Sequence, residues 1–325
     1  MTDLFDGPRS PSLKADFSFG VKPRRATLRN VVLQGETRKD SGMVKWKKIT
    51  LLLLAALAIF VWYAVFTIGA RGTLEVTFFD VGQGDAALIQ INDGKQILID
   101  GGPGKTILTK LGSAMPYWDR EIELVILTHP HADHVDGLIE VLKQYDVKIV
   151  LDSSADYHTA DYAEWRRLLE EKQISVVIAR AGQRVHLSDF AYLDILTPLE
   201  NFVGASPDHI HDAMVIARLY TNYASNYGSP TSILFSGDAE RRLEFELATR
   251  MPDLLDADIL KVGHHGSKTS SSELFLKAVS PEMAIISVGH KNNFGHPHES
   301  VLKRLESLGI PIRRTDIEGD IKYTF

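Results

Sequence analysis

The chain has 325 residues, a formal charge of −6, twelve histidines and no cysteine. That length holds one large catalytic domain plus an appendage, and the negative balance argues against a protein that coats nucleic acid over its whole surface, although a local basic groove stays compatible with it. Without cysteine, any zinc must be held by His and Asp, and the lack of disulfides leaves the compartment open.

Residues 1–48 mix Pro, Ser, Gly and charges with no sustained apolar period and read as a disordered tail, with basic residues gathering toward Lys45, Lys47 and Lys48. Residues 49–70 are uncharged and apolar, long enough to cross the roughly 30 Å hydrocarbon core of a bilayer as one helix. A signal peptide is the competing reading, but its apolar region would be shorter and nearer the start, and no A-x-A site precedes Arg71. The flanks carry many Lys and Arg before the span and only Arg71 just after it. That asymmetry predicts a single-pass protein of the cell membrane with a cytoplasmic N-terminus and the remainder, 73–325, outside the cytoplasm.

Alternating apolar and polar residues predict strands at 74–81, 86–91 and 96–99, with Asn92-Asp93-Gly94 as a hairpin turn. Between the first two lies Asp80-Val81-Gly82-Gln83-Gly84-Asp85. Two glycines around one polar residue make a tight loop whose amides can approach an anion, so Gln83 and Asp85 are candidate substrate-binding residues; a plain turn is the alternative. Asp100-Gly101-Gly102 closes the third strand. Helices at 105–115 and 135–145 should flank a strand at 123–128, and the β/α alternation continues through a strand at 148–151, a helix at 159–172 and a strand at 175–179. Trp165, Leu168 and Leu169 share one apolar face of that last helix and read as core.

The apolar run Leu124-Val125-Ile126-Leu127 leads into Thr128-His129-Pro130-His131-Ala132-Asp133-His134. His129 and His131, at i and i+2 in extended chain, point to one side and can chelate one ion. Asp133 and His134, expected on the turn that follows, face a neighbouring position suited to a second divalent ion. Two such ions roughly 3.5–4 Å apart polarise a phosphoryl or acyl oxygen and supply a hydroxide near neutral pH. A histidine-rich surface turn is the bland alternative, and it leaves the crowding of so many ionisable groups without a compensating charge.

Strands are expected at 213–220 and 232–235, joined by a polar loop at 222–230, with His209 and His211 at their entrance. An ordinary loop histidine is the plain reading of each. Asp238, in Phe235-Ser236-Gly237-Asp238-Ala239, either bridges two cations or caps a helix at 239–250. A strand at 258–262 delivers Gly263-His264-His265-Gly266-Ser267-Lys268-Thr269-Ser270. One of His264 and His265 should complete the second site, and adjacency in sequence does not choose between them. Ser267, Lys268 and Thr269 suit an anion cradle at the following helix start. A strand at 283–288 then leads to a loop with Asn293 and His296, a helix at 299–308 and a last strand at 321–325.

The T-H-P-H-A-D-H run is the signature of the metallo-β-lactamase superfamily, and this sequence resembles a member. Together with F-F-D-V-G-Q-G-D-A and I-L-I-D-G-G it resembles the extracytoplasmic hydrolase domain of the ComEC family of DNA-uptake proteins, across 74–325. The resemblance implies an α/β (α+β) fold, a four-layer αββα sandwich with metals at one edge between two sheets, preceded here by one transmembrane helix. It implies that Asp100 orients a ligand histidine and that Asp238 bridges the metals, and it makes His211 the candidate third imidazole of the first site and His209 a weaker one. It also implies that His296, in N-x-x-G-H-P beside Asn293, serves the reaction at the rim, with Asp133 as the other catalytic group. The cofactors implied are two divalent ions, zinc first and manganese second. Partners implied are the lipid bilayer, DNA or another phosphodiester, and a separate channel protein, since the multi-helix channel and OB-like domain of full-length family proteins do not stand in this sequence. The function expected is a membrane-anchored phosphodiesterase or nuclease. Two alternatives are a hydrolase of another ester, lactone, thioester, β-lactam or phosphocholine substrate, and a tethered DNA- or partner-binding module without turnover.

Overall fold

The computed structural model describes residues 40–69, 73–222 and 231–325. The expectations for 1–39, for 70–72 and for most of the loop at 222–230 lie outside the described residues.

Helix α1 (Asp40–Gly69) is continuous over 30 residues. It therefore takes in 40–48, which the sequence reading assigned to a disordered tail; once the apolar run is helical, each added residue costs little because it brings its own backbone hydrogen bond. Among the described residues this is one helix long and apolar enough to cross a membrane, over Lys45–Tyr63.

In the domain that follows, side-chain alternation along the strands sorts the apolar residues into three cores. Strands β1 (Leu74–Phe78), β2 (Ala87–Ile91), β3 (Gln96–Ile99), β4 (Glu121–Ile126), β5 (Asp146–Asp152) and β6 (Ser175–Ile178) lie side by side in that order. A second sheet runs, in sequence order from one edge to the other, through β7 (Arg184–Ser188), β8 (Ala191–Ile195), β9 (Ala217–Thr221), β10 (Thr231–Phe235), β11 (Ile259–Lys261), β12 (Met283–Ile286) and β13 (Ile312–Arg314). The final strand, β14 (Ile321–Thr324), returns to the first sheet and pairs antiparallel with β1. In each sheet the early strands pair antiparallel and the later ones parallel, from β3 onward in the first and from β10 onward in the second.

Parallel neighbours need crossover connections. Helices α2 (Thr106–Ala114), α3 (Ala132–Gln144) and α4 (Ala160–Glu171) supply them on the first sheet. On the second the connections carry α5 (Arg241–Arg250), α6 (Pro252–Leu255), α7 (Glu273–Val279) and α8 (Glu299–Ser307), and the single turn α9 (Thr315–Glu318) precedes β14. Val76, Phe78, Ile89, Ile97, Leu193 and Ile233 fill the space between the sheets, where the Phe78 and Phe235 rings stack at 5.6 Å. The intervening positions Leu88, Leu98 and Val125 face the other way, onto Ile107, Leu111, Leu138 and Trp165 of the helices. On the second sheet Leu234, Leu260 and Ile286 meet Leu247, Phe275 and Leu305. The result is the αββα sandwich expected, each fully buried Leu, Ile or Phe contributing about 1.5–3 kcal/mol.

Several boundaries differ from expectation in ways that bear on the site. Helix α3 starts at Ala132, with the extended residue His131 as its cap. Asp133 and His134 therefore sit on the first helical turn and not on a turn before it. Residues Ile210–Ala213 form a short 3-10 turn and β9 begins only at Ala217. Helix α5 begins after Glu240, which leaves Asp238 clear of any capping role.

The Asp100-Gly101-Gly102 loop is held against α3 by Gly101 N donating to His134 O and Gly137 N donating to Gly102 O, at 2.9 and 2.8 Å. A Cβ built on Gly137 would stand 1.9 Å from Gly101 O, so the two backbones can meet only without side chains. Gly137→Ala should destabilise the domain by about 2 kcal/mol or more and lower its melting temperature in a thermal scan; an unchanged transition would contradict this packing.

Candidate metal centre

The C-terminal ends of β3, β4, β10, β11 and β12 converge at one edge of the sandwich. Among the described residues three groups of potential ligands form there, with donor atoms within 4.8 Å of one another in each: Asp85, Asp100 and His134, which are all buried, and two groups of four, His129, His131, His211 and Asp238, and Asp133, His134, Asp238 and His265. Asp238 belongs to both groups of four. Its Oδ2 lies 3.8 Å from His129 Nε2, while its Oδ1 lies 3.4 Å from His134 Nε2 and 3.7 Å from His265 Nε2.

Hydrogen bonds on the far side of the rings settle which nitrogens face inward. Thr128 Oγ1 donates to Asp100 Oδ2 at 2.7 Å and so accepts from His129 Nδ1 at 3.1 Å. His134 Nδ1 donates to Asp100 Oδ2 at 2.7 Å, and His265 Nδ1 to the Ser287 carbonyl at 2.9 Å. With those protons committed, His129 Nε2 faces His131 Nδ1 at 3.0 Å, and His265 Nε2 faces Asp133 Oδ2 at 3.2 Å. Each contact needs a proton on one of its two atoms or a cation between them. His134 Nε2, His211 Nε2 and Asp238 Oδ1 are buried and without hydrogen-bond partners. His/carboxylate sets of this composition fit divalent transition metals.

Electrostatics divide the two groups of four. Burial, reinforced by neighbouring imidazoles, holds His129 well below the usual histidine range and brings His131 to about 4; His211 is lowered by burial as well. All three are neutral, as ligation requires. At His265 burial also acts downward, but Asp238 and Asp85 overcome it and carry the ring to about 10. At His134 Asp238 and Asp100 likewise overcome burial and raise the ring well above the ordinary value. Burial acts against the charge of Asp238 and Asp133, yet His265 and His134 hold the first well below its usual value and the second at about 2.

The predicted residues fall into place unevenly. His129, His131, Asp133, His134, His211, Asp238 and His265 are brought together, and Asp100 is hydrogen-bonded to Thr128 and His134 behind them. His264 and His265 both have left-handed backbone, φ 48° and 52°, costing roughly 1–2 kcal/mol each. That kink turns His265 inward and His264 toward the rim. His264 belongs to none of the groups: its Nδ1 meets Glu240 Oε1 at 3.2 Å and its Nε2 stands 3.7 Å from Asp238 Oδ2. His296 is half-buried at the same rim, its ring 5.7 Å from that of His264.

The anion-binding expectations need correction. Asp85 is buried and pairs closely with Lys261 Nζ, so it faces no substrate. Gln83 Oε1 accepts from Gly289 N at 3.2 Å and braces one loop against another. Ser267 is buried and bonded to Thr269 Oγ1, which donates to Glu240, and α7 begins only at Glu273; the two side chains are used within the loop and do not lie at a helix start. Lys268 and Asn293 are exposed. Asn292, not Asn293, shapes the last loop: its Oδ1 accepts from Phe294 N and His296 N at 3.1 and 3.0 Å. Residue-by-residue reading also missed Lys261 and Glu240. A lone Lys inside the apolar strand before Gly263-His264-His265 was the available signal for the first; Glu240 offered none.

Residues 79–290 match the family model of the metallo-β-lactamase superfamily, and the chain belongs to that superfamily, whose members are usually metal-dependent hydrolases. Within it several curated relatives are ComEC-like competence proteins. Recombination protein 2 of Haemophilus influenzae is 32% identical over 262 residues, covering 79% of this chain and 29% of the relative. ComE operon protein 3 of Bacillus subtilis is 27% identical, covering 77% and 33%, and competence protein ComA of Neisseria gonorrhoeae is 27% identical, covering 76% and 32%. The chain thus spans about a third of the length of the curated relatives it matches. Among solved structures, the metallo hydrolase Igni18 of Ignicoccus hospitalis superposes with a TM-score of 0.48 at 18% identity, over 78% of this chain and 98% of that one.

Two outcomes follow from the electrostatics. Metal must displace the protons on His134 and His265, so metal affinity should rise with pH up to about 10, the value at His265. In metal-free protein the same raised value stabilises the fold fully below pH 6.5 and is lost as pH climbs toward about 10; calorimetry with and without metal should show opposite trends over that window. Asp100→Asn should weaken metal binding by about 10–100-fold, measured by competition with a chromophoric chelator.

Proposed function

We propose that this chain is a membrane-anchored hydrolase with a dinuclear metal centre, acting on phosphodiesters and on DNA in particular. The observation that carries the dinuclear reading is Asp238, a buried carboxylate with one oxygen directed at each of two imidazole-rich groups. His129, His131, His211 and Asp238 would hold one divalent ion, zinc first and manganese second; Asp133, His134, Asp238 and His265 would hold the other. Such ions supply Lewis acidity and an activated water near neutral pH. Around them the chain's own groups divide the work. His264 and His296 line the rim within reach of a bound phosphate, and His296, held low by burial and by His265, can accept or return a proton at its ring nitrogen. The exposed Lys268 and Lys291 flank that rim and suit the phosphates of a polyanion.

The names of the competence relatives support DNA as substrate, and a separate channel protein would then be the partner that handles transport. The helix at Lys45–Tyr63 supports anchoring, and the flanking charges support a cytoplasmic N-terminus with the domain on the other side.

The purified full-length chain should hydrolyse bis(4-nitrophenyl) phosphate and single-stranded DNA with Zn2+ or Mn2+, lose turnover on chelation, and lose about 10³-fold or more in Asp238→Ala. Turnover confined to a lactone, thioester or β-lactam panel would favour another hydrolase, and tight DNA binding without turnover would favour a binding module. His211→Ala should lower metal stoichiometry; full stoichiometry and activity in that variant would remove His211 from the first group. A reporter fused after Phe325 should be active only outside the cytoplasm.

A further inference from the structure

We propose that Lys261 is a positioning residue of the metal centre, an internal cation that clamps Asp85 and the Gly237-Asp238 peptide and thereby aligns the donors of the second ligand group. This rests on the dinuclear reading above and concerns a residue to which that reading gives no role.

Strand periodicity puts the side chain in place. In β11, Ile259 faces the core between the sheets and Leu260 the outer core, so Lys261 points between the sheets, where it is 3% exposed. An ammonium group in such a place persists only when paired and hydrogen-bonded. Its Nζ makes a close contact with Asp85 Oδ2, donates to the Gly237 carbonyl at 2.9 Å, and stands 4.0 Å from Asp238 Oδ1.

Each of these contacts leads to a ligand. Asp85 belongs to the loop after β1, on the opposite sheet; its backbone N donates to Asp133 O at 3.2 Å, and its Oδ1 lies 3.3 Å from His265 Nδ1. The Gly237 carbonyl, which also accepts from His264 N at 3.2 Å, belongs to the peptide that carries Asp238. Gly237 itself has φ +50°, and a Cβ there would meet Met214 Sδ at 2.5 Å. That turn therefore cannot be wedged by a larger side chain of its own and is held by directional contacts, two of which come from β11 and the loop after it. Lys261 thus reaches Asp133, His265 and Asp238, three of the four donors of the second group, but only Asp238 of the first.

The test is a Co2+ titration of the full-length chain in detergent, followed through the visible ligand-field bands, on the unmodified protein, Lys261→Met, and Lys261→Met/Asp85→Asn. The double variant removes the carboxylate that the single one leaves buried without its partner, so it decides the question if the single variant fails to fold. The expected result is a second equivalent bound about 10–100-fold more weakly, with altered bands, and a first equivalent bound as in the unmodified chain. A folded variant that binds both equivalents with unmodified affinity and spectrum, even with a lower melting temperature, would reduce Lys261 to a structural counter-charge and overturn the proposal. If the unmodified chain takes up only one equivalent, the dinuclear reading fails first and the proposal falls with it.

Discussion

A carboxylate buried between two sets of imidazoles is the constraint from which the rest of this edge follows. Asp238 is 1% exposed, and an ion so far from water costs several kcal/mol unless positive charge surrounds it. Three more carboxylates, Asp85, Asp100 and Asp133, crowd the same few ångströms. The chain answers with Lys261 against Asp85, with ring protons on the outer nitrogens of His129, His134 and His265, and with inward nitrogens that hold either a proton, as on His134 and His265, or a divalent cation. No member of this set is stable in isolation, which is why they are drawn from loops so widely separated in sequence.

The sandwich makes that convergence possible by ending its parallel strands at one edge. Residues just past β4, β10 and β11 are thrown together whatever their spacing along the chain, and the loops that carry them are fixed by backbone contacts rather than by bulk. Gly101 and Gly137 meet main chain to main chain, Asp100 takes the left-handed region at φ 57°, and the His264-His265 kink does the same twice. Strain of this kind is tolerated where the surroundings over-determine it, and each of these positions sets the direction of a ligand or of the residue that orients one.

Around the buried centre the rim has a different physical character. Its loops carry exposed charge at Lys268 and Lys291, and Asn292 ties the His296 loop to itself through four hydrogen bonds to backbone. The margin is thus preorganised and partly basic, over an interior rich in carboxylates. The curated relatives carry roughly twice as much further chain beyond the part that matches.

Much of this was legible without coordinates because it depends on spacing a few residues long. The apolar span and the strand leading into His129 and His131 follow from local periodicity and spacing, whereas the two-sheet sandwich was legible only through the family resemblance that the T-H-P-H-A-D-H motif carries. His211 and Asp238 were legible as candidates through the family resemblance, Asp238 also because it stands just past the end of a strand. The remainder was decided by contacts between distant segments. Asp85 read as an open anion loop, yet folding buries it opposite a lysine 176 positions away. His264 and His265 could not be told apart, since adjacent residues share every sequence neighbour and only two left-handed dihedrals send one inward. Local sequence thus determined which chemical groups are available and on what elements they ride; only the closing of one sheet over the other determined which of them share a low-dielectric space, because pairing of buried charge depends on distance in space and not on separation along the chain.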